Sequence, residues 1–227
     1  MKIPDPEVYK SDNYLVLDVE TTNINKGDPW TEDNSLVLAC WWYKGSYYHQ
    51  RGNEFEQQAL VEHCEECDFI VAHNAKFELG WLSRCGYDVA TKPVFCTQIA
   101  HYVRSGNRMW KTALNKVAEF YGEGAKLDVI GRLLKEGVCP SEMPHQWLLD
   151  YCLQDVALCH RIFLRQREHL IDNGLLTVFS SRTYLTPVLT DIESVGMQLD
   201  ETRLHNVLLD KTKHREELYD KLEQVTG

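Results

Sequence analysis

Tyr14-Leu15-Val16-Leu17-Asp18-Val19-Glu20 is the stretch from which the fold can be read. It is apolar at four successive positions, so a strand over Tyr14 to Val19 has apolar side chains on both faces. Such a strand belongs in the middle of a sheet. Side chains two apart on a strand share a face, which sets Asp18 and Glu20 side by side where the strand ends. Strand ends are where sheets of α/β proteins bind their ligands. The same Asp-x-Glu spacing recurs at Asp5/Glu7 and Asp191/Glu193. No apolar strand precedes either of those, so both read as solvated surface pairs. The spacing is weak evidence by itself; the strand and the following Thr21-Thr22 carry the weight.

Working outward, Leu36 to Trp42 is a second strand, Lys44-Gly45 marks a hairpin turn, and Ser46 to Gln50 returns. Glu54 to Glu66 has the apolar spacing of a helix in Phe55, Leu60, Val61 and Cys64. Asp68 to Ala72 is a short apolar strand and Ala75 to Arg84 a helix ending near Gly86. Val94 to Cys96 is another strand, with helices over Gln98 to Val103 and Lys111 to Tyr121. A long helix is expected from His145 to Asp172, stopped by Asn173-Gly174. The order predicts an α/β domain, a central mixed sheet flanked by helices. After Gly174 the chain reads as helix over Leu175 to Val195, broken at Pro187. Gly196 ends that stretch, and Asp200 caps a strongly charged last helix to about Gln224. The expected division is a first domain over 1–182 and a helical extension over 183–227.

The 227 residues suit one domain with an appendage, and 44% apolar against 26% charged residues is ordinary for a globular protein. The formal charge of −10 runs against the basic footprint usual in nucleic-acid binders. A carboxylate site filled with metal loses much of its negative field, however, and a basic partner can supply the rest. Tight binding to long duplex DNA by this chain alone is not expected. The amino terminus lacks a signal-type apolar run and no segment is long enough to span a bilayer, so the expected place is the cytoplasm, or the host cytoplasm for a phage protein, with no membrane partner. The 8 scattered cysteines then stay thiols packed as small hydrophobes. Cys64 and Cys67 lack the second pair of a zinc site.

Two further pairs extend the acidic set. Asn74 and Glu78 follow a short strand, four apart on the next helix; Tyr151 and Asp155 are four apart on the long helix, one turn separated on one face. Tyr14/Asp18 repeats the latter spacing, but a strand stretches it over ~13 Å. Each pair alone is unremarkable. Together, four acids from three elements repel one another unless divalent cations sit between them, and two such cations about 4 Å apart can hold a phosphodiester and its attacking water in line.

This ordered set resembles the three motifs of the DEDD exonuclease superfamily, in the branch with tyrosine in the third motif. The resemblance is closest to the 3′-5′ proofreading domain of family A DNA polymerases, particularly those of bacteriophages. It covers most of the chain, through Asp18–Asn23, Val71–Leu82, Leu114–Gly122 and Leu149–Val156. It implies an RNase H-like fold and hydrolysis of single-stranded DNA 3′ ends to nucleoside 5′-monophosphates. Residues 187–200 resemble the passage into a polymerase thumb, which implies a DNA polymerase partner on a separate or continuing chain. By the same resemblance Asp18 bridges two cations, Glu20 and Asp155 complete the first site, and Glu78 helps place the second. Mg2+ is the implied ion with Mn2+ as substitute. Tyr151 orients the attacking water, Thr21 and Asn74 lie by the frayed strand, and Phe77 packs the motif helix.

One departure matters. The family usually has aspartate where this chain has Glu78, and the added methylene must be absorbed by the side chain or the helix. Glu78 is still expected to ligate. Arg108 and Lys111 lie in a mixed basic and aromatic loop over 104–111 that could contact phosphates and stack a base. The plainer reading of that loop, solvated with Trp110 in the core, is the favoured one. His73, His101 and His160 read as packing or surface residues. Two alternatives stay open: an RNA-trimming exonuclease using the same five residues, and a non-catalytic exonuclease fold that scaffolds a polymerase.

Overall fold

The computed structural model describes residues 3–52, 59–108, 111–124 and 129–226. The start of the expected helix at Glu54 and the packing of Trp110 lie outside them. Five strands form one mixed sheet in the order β3-β2-β1-β4-β5. β1 (Tyr14–Thr21) is central, antiparallel to β2 (Leu36–Tyr43) and parallel to β4 (Phe69–Ala72). β3 (Ser46–Arg51) closes the hairpin on β2, and β5 (Val94–Cys96) adds in parallel to β4. The hairpin turn puts Lys44 and Gly45 at φ 44° and 86°. Positive φ at both central residues matches the twist of the flanking strands.

The alternation of β1 divides the core in two. Tyr14 and Val16 join Leu38, Cys40, Phe69, Val71 and Phe95 against the long helix α6 (His145–Asp172). Leu15, Leu17 and Val19 join Ala39, Trp41, Ile70 and Cys96 against α1 (Ala59–Glu66) and α2 (Lys76–Arg84). The even-numbered face thus leads from the α6 core directly to Asp18 and Glu20. The α6 seat is aromatic: Tyr14 meets Phe163 with ring centroids 4.7 Å apart, and Phe95 meets Phe163 at 4.8 Å. A 3-10 turn over Pro6–Lys10 adds the fully buried Tyr9, whose hydroxyl donates to the Val94 carbonyl at 3.1 Å.

Around this lie α3 (Thr97–Arg104), α4 (Leu114–Tyr121) and α5 (Val129–Lys135). The helix expected from Lys111 starts later, at Leu114, after an extended Ala113. The break expected at Pro187 falls at Tyr184 instead, between α7 (Leu176–Thr183) and α8 (Leu185–Val195). Pro187 sits in the first turn of α8, where its missing N–H is not needed. The compact unit also runs past residue 182, to Ser194. The reason is local: Thr183 donates its hydroxyl to the buried Val94 carbonyl, and Thr186, Pro187 and Thr190 are buried.

The second unit, 195–227, contains α9 (Glu201–Thr226). Asp200 caps it, its carboxylate accepting from Arg203 N at 2.9 Å. Leu204, Leu208, Leu218 and Leu222 of α9 are exposed. Among the described residues, no helix is long and apolar enough to cross a membrane.

Candidate active site

β1 delivers Asp18 and Glu20, both half-buried, on the face that α6 covers. The pairing register slips between Glu20 and Thr21, a bulge at the point where the strand leaves the sheet. Such irregularities re-aim side chains. α6 answers with Cys152, whose Sγ lies 3.5 Å from Asp18 Oδ2 and 3.6 Å from the Asp18 carbonyl. One ligand atom from each of Asp18, Glu20 and Cys152 lies within 4.8 Å of the others. Asp155 follows three residues later on the same sheet-facing side and is 5% exposed. Tyr151, one turn before it, is half-buried against the same core.

Glu78 enters from α2. Asn74, which is exposed and has φ 59°, makes the turn out of β4, and the Phe77 N–H donates to its carbonyl at 2.9 Å. Asparagine tolerates this left-handed conformation better than most residues. The first turn of α2 then turns Glu78 inward, to 4% exposure, while Oε2 has no hydrogen-bond partner among the described residues. Its carboxyl is held protonated well above the usual range by burial first, then by the charge of Asp18 and less by that of Glu20. The Cys159 thiol, one turn beyond Asp155, is pushed up by burial and then by the charge of Asp18. A buried carboxyl with an unpartnered oxygen, pushed up by neighbouring carboxylates, is one whose charged form a divalent cation would favour. This donor set fits divalent metal ions.

The remaining candidates are spread more widely. Thr21 is buried, with its hydroxyl donating to the Thr22 carbonyl at 2.9 Å. Gly27, at φ 74°, passes so close that a Cβ there would stand 2.4 Å from Thr21 Oγ1 and 3.4 Å from the Phe77 ring. Phe77 itself is half-buried against the α2 side of the core. Arg108 and Lys111 are both exposed. Lys111 precedes Thr112, whose carbonyl accepts from His73 Nε2 at 2.8 Å. His73 Nδ1 also meets Thr97 Oγ1 at 2.9 Å, so this histidine ties the turn after β4 to α3.

Sequence reasoning did not single out Cys152: its spacing of three from Asp155 puts the two on one helix face, but which strand residue it meets depends on how α6 packs on β1.

The fold is found in several nucleases. NrnC of Brucella melitensis, solved with bound Mg2+, superposes with a TM-score of 0.63 at 18% identity over 85% of this chain and 90% of its own. The same protein bound to pGG gives a TM-score of 0.64. Escherichia coli RNase D, an exoribonuclease, gives 0.60 at 12% identity over 82% of this chain and 47% of its own. In sequence, DNA polymerase DpoZ of Salmonella phage PMBT28 is 24% identical over 95% of this chain, and the chain spans 36% of that polymerase. The sequence profile of the 3′-5′ exonuclease family matches residues 7–170. The chain belongs to this 3′-5′ exonuclease family, of the type carried by family A DNA polymerases within the DEDD superfamily.

Proposed function

We propose that the chain hydrolyses single-stranded DNA from the 3′ end, releasing nucleoside 5′-monophosphates, as the proofreading activity of a DNA polymerase on the same or a separate chain. The observation that carries this reading is the pairing of Asp18 and Glu20 at the end of β1 with the buried Glu78, whose Oε2 has no hydrogen-bond partner among the described residues and whose carboxyl feels the charges of both. Asp18, Glu20, Glu78 and Asp155 hold two divalent cations, Mg2+ by default with Mn2+ as substitute. When bound, such ions acidify the attacking water and neutralise charge on the phosphate and leaving oxygen. Tyr151 orients that water through its hydroxyl. Asn74 and Thr21 border the unpaired end, and Phe77 fixes the helix that carries Glu78. Arg108 and Lys111 are the exposed cations available to the trailing phosphates.

DNA is favoured because the relative matching 95% of the chain is a phage DNA polymerase. The fold shared with RNase D supports a second reading, trimming of RNA 3′ ends by the same residues. One experiment separates them. A DNA with a 3′ overhang and its RNA counterpart, labelled at the 5′ end, are incubated with Mg2+ or with chelator, beside the Asp18→Ala protein. A ladder shrinking from the 3′ end of DNA, dependent on metal and on Asp18, is the expected result. A ladder on RNA alone would favour the second reading. No ladder with Mg2+ or Mn2+ would leave a scaffold without chemistry.

A further inference from the structure

His73 stands between the last residue of β4 and Asn74, and both nitrogens of its ring bond outside its own element. Nε2 is 2.8 Å from the Thr112 carbonyl, and Nδ1 is 2.9 Å from Thr97 Oγ1. A carbonyl only accepts, so Nε2 carries the ring proton and Nδ1 takes the Thr97 hydroxyl. One neutral tautomer serves both bonds. The two partners lie at opposite ends of one excursion of the chain: Thr97 begins α3, and Thr112 follows the exposed Arg108 and Lys111. On the α3 side that excursion is tied locally, with the Asn107 N–H donating to the Tyr102 carbonyl at 3.0 Å and the Arg108 N–H to Ser105 Oγ at 3.3 Å. At the far end α4 gives no comparable hold, because Ala113 at its start makes no side-chain cap. His73 grips the Thr112 carbonyl instead, with Gln98 Nε2 farther off at 3.5 Å. The residue after His73 is Asn74, whose left-handed turn leads into the helix of Glu78.

We propose that His73 is a positioning residue for the substrate strand. It locks the chain just after Lys111 to the turn before Glu78, so that Lys111 and Arg108 meet backbone phosphates at a fixed distance from the acids. This rests on reading the site as a nuclease of single strands. His73 itself touches neither the strand nor a metal; it acts through the Thr112 carbonyl.

Two substitutions separate anchoring from packing. His73→Gln keeps a side-chain N–H to offer the carbonyl, whereas His73→Phe keeps the ring and loses the donor. A 5′-labelled oligo(dT) is degraded in single turnover with Mg2+, at rising enzyme concentration and several salt concentrations. Half-saturation and maximal rate are read separately, and the anisotropy of the same strand is followed in chelator. His73→Phe should raise the half-saturating concentration about 3- to 10-fold, the worth of one hydrogen bond, with the maximal rate within about twofold of the wild type. The slope of log affinity against log salt should become shallower by about 0.7, one single-strand phosphate contact. His73→Gln should stay close to the wild type in all three. A His73→Phe protein that matches the wild type, loses only maximal rate, or keeps the wild-type salt slope overturns the proposal. So does a His73→Gln protein as impaired as His73→Phe. Should both variants misfold, the nitrogen-15 spectrum of histidine in the wild type decides: a proton on Nε2 is expected, and one on Nδ1 removes the anchor. A wild type that binds the strand without cutting it, with His73→Phe weakening that binding as above, would sink the hydrolytic reading and keep His73 in its role. A wild type that neither binds nor cuts would sink both.

Discussion

Glu78 is where the site's charge is least compensated, and its effect on stability has a definite sign. Its carboxyl is held protonated well above the ordinary value of 4.5 by burial and by Asp18. Below that value the group is protonated in both folded and unfolded chains. As pH rises past it, the unfolded chain releases the proton while the metal-free folded chain retains it, so stability falls, by about 1.4 kcal/mol for each unit the pKa is raised. Glu78→Gln should therefore raise the melting temperature of the chelator-treated protein at pH 7 and flatten its decline from acid pH. A variant melting below the wild type in chelator would show that the carboxylate is satisfied. In cleavage the order reverses: Glu78→Ala should lose at least about 100-fold, as misplaced site geometry does, and Glu78→Asp should match or exceed the wild type. Single-turnover degradation of a labelled overhang measures both. That Glu78 falls in the first turn of the helix after β4 was legible from Asn74 and the strand before it. Its bare oxygen was not, because burial depends on how α2 packs on the sheet.

At the scale of elements, α6 connects the site to the core. One helix carries Cys152 to Asp18 and Phe163 into the aromatic seat with Tyr14 and Phe95. Phe163→Ala should cost about 3–5 kcal/mol in urea unfolding; a loss below 1 kcal/mol would mean that α6 is held elsewhere. His160, between them, packs on Trp42 with its Nε2 2.9 Å from the Tyr14 hydroxyl. Burial, then Arg167 and Arg161, lower its pKa to about 4. A depressed histidine contributes stability above 6.5 that is lost as pH falls from there toward about 4. His160→Gln should make the unfolding midpoint less sensitive to pH across that window, and an unchanged slope would assign the acid sensitivity to other groups. The limits of α6 were readable from Asn173-Gly174, and the hairpin from Lys44-Gly45, since local chemistry sets both. Cys152 was not readable as a neighbour of Asp18: that contact depends on the register between a strand and a helix more than a hundred residues apart in the chain.

Across the whole molecule, the change at Gly174 was visible in the sequence, but where the compact unit ends was not. Charge and proline placed the expected boundary near 182; buried threonines placed the end of the unit at Ser194. Thr183 binds the Val94 carbonyl in the core, beneath the edge strand β5. Farther along α8, Glu193 pairs with Lys76 at the first position of α2, two residues before Glu78. That ion pair is about half exposed and worth little by itself. The buried hydroxyl is different: it is one of two donors to the Val94 carbonyl, the other being Tyr9, and its net worth is about 0.5–1.5 kcal/mol. Two truncations should consequently behave differently. Removing residues 195–227 should leave the urea midpoint of the remaining unit and its hydrolysis of single strands within error of the full chain. Removing residues 183–227 should lower stability by at least about 1 kcal/mol, and cleavage should fall with the folded fraction. Equal behaviour of the two would place the working boundary at 182 after all and make α8 part of the extension. If only the shorter deletion retains full activity, α8 belongs to the nuclease and the segment from 195 onward is free to serve another part of the protein.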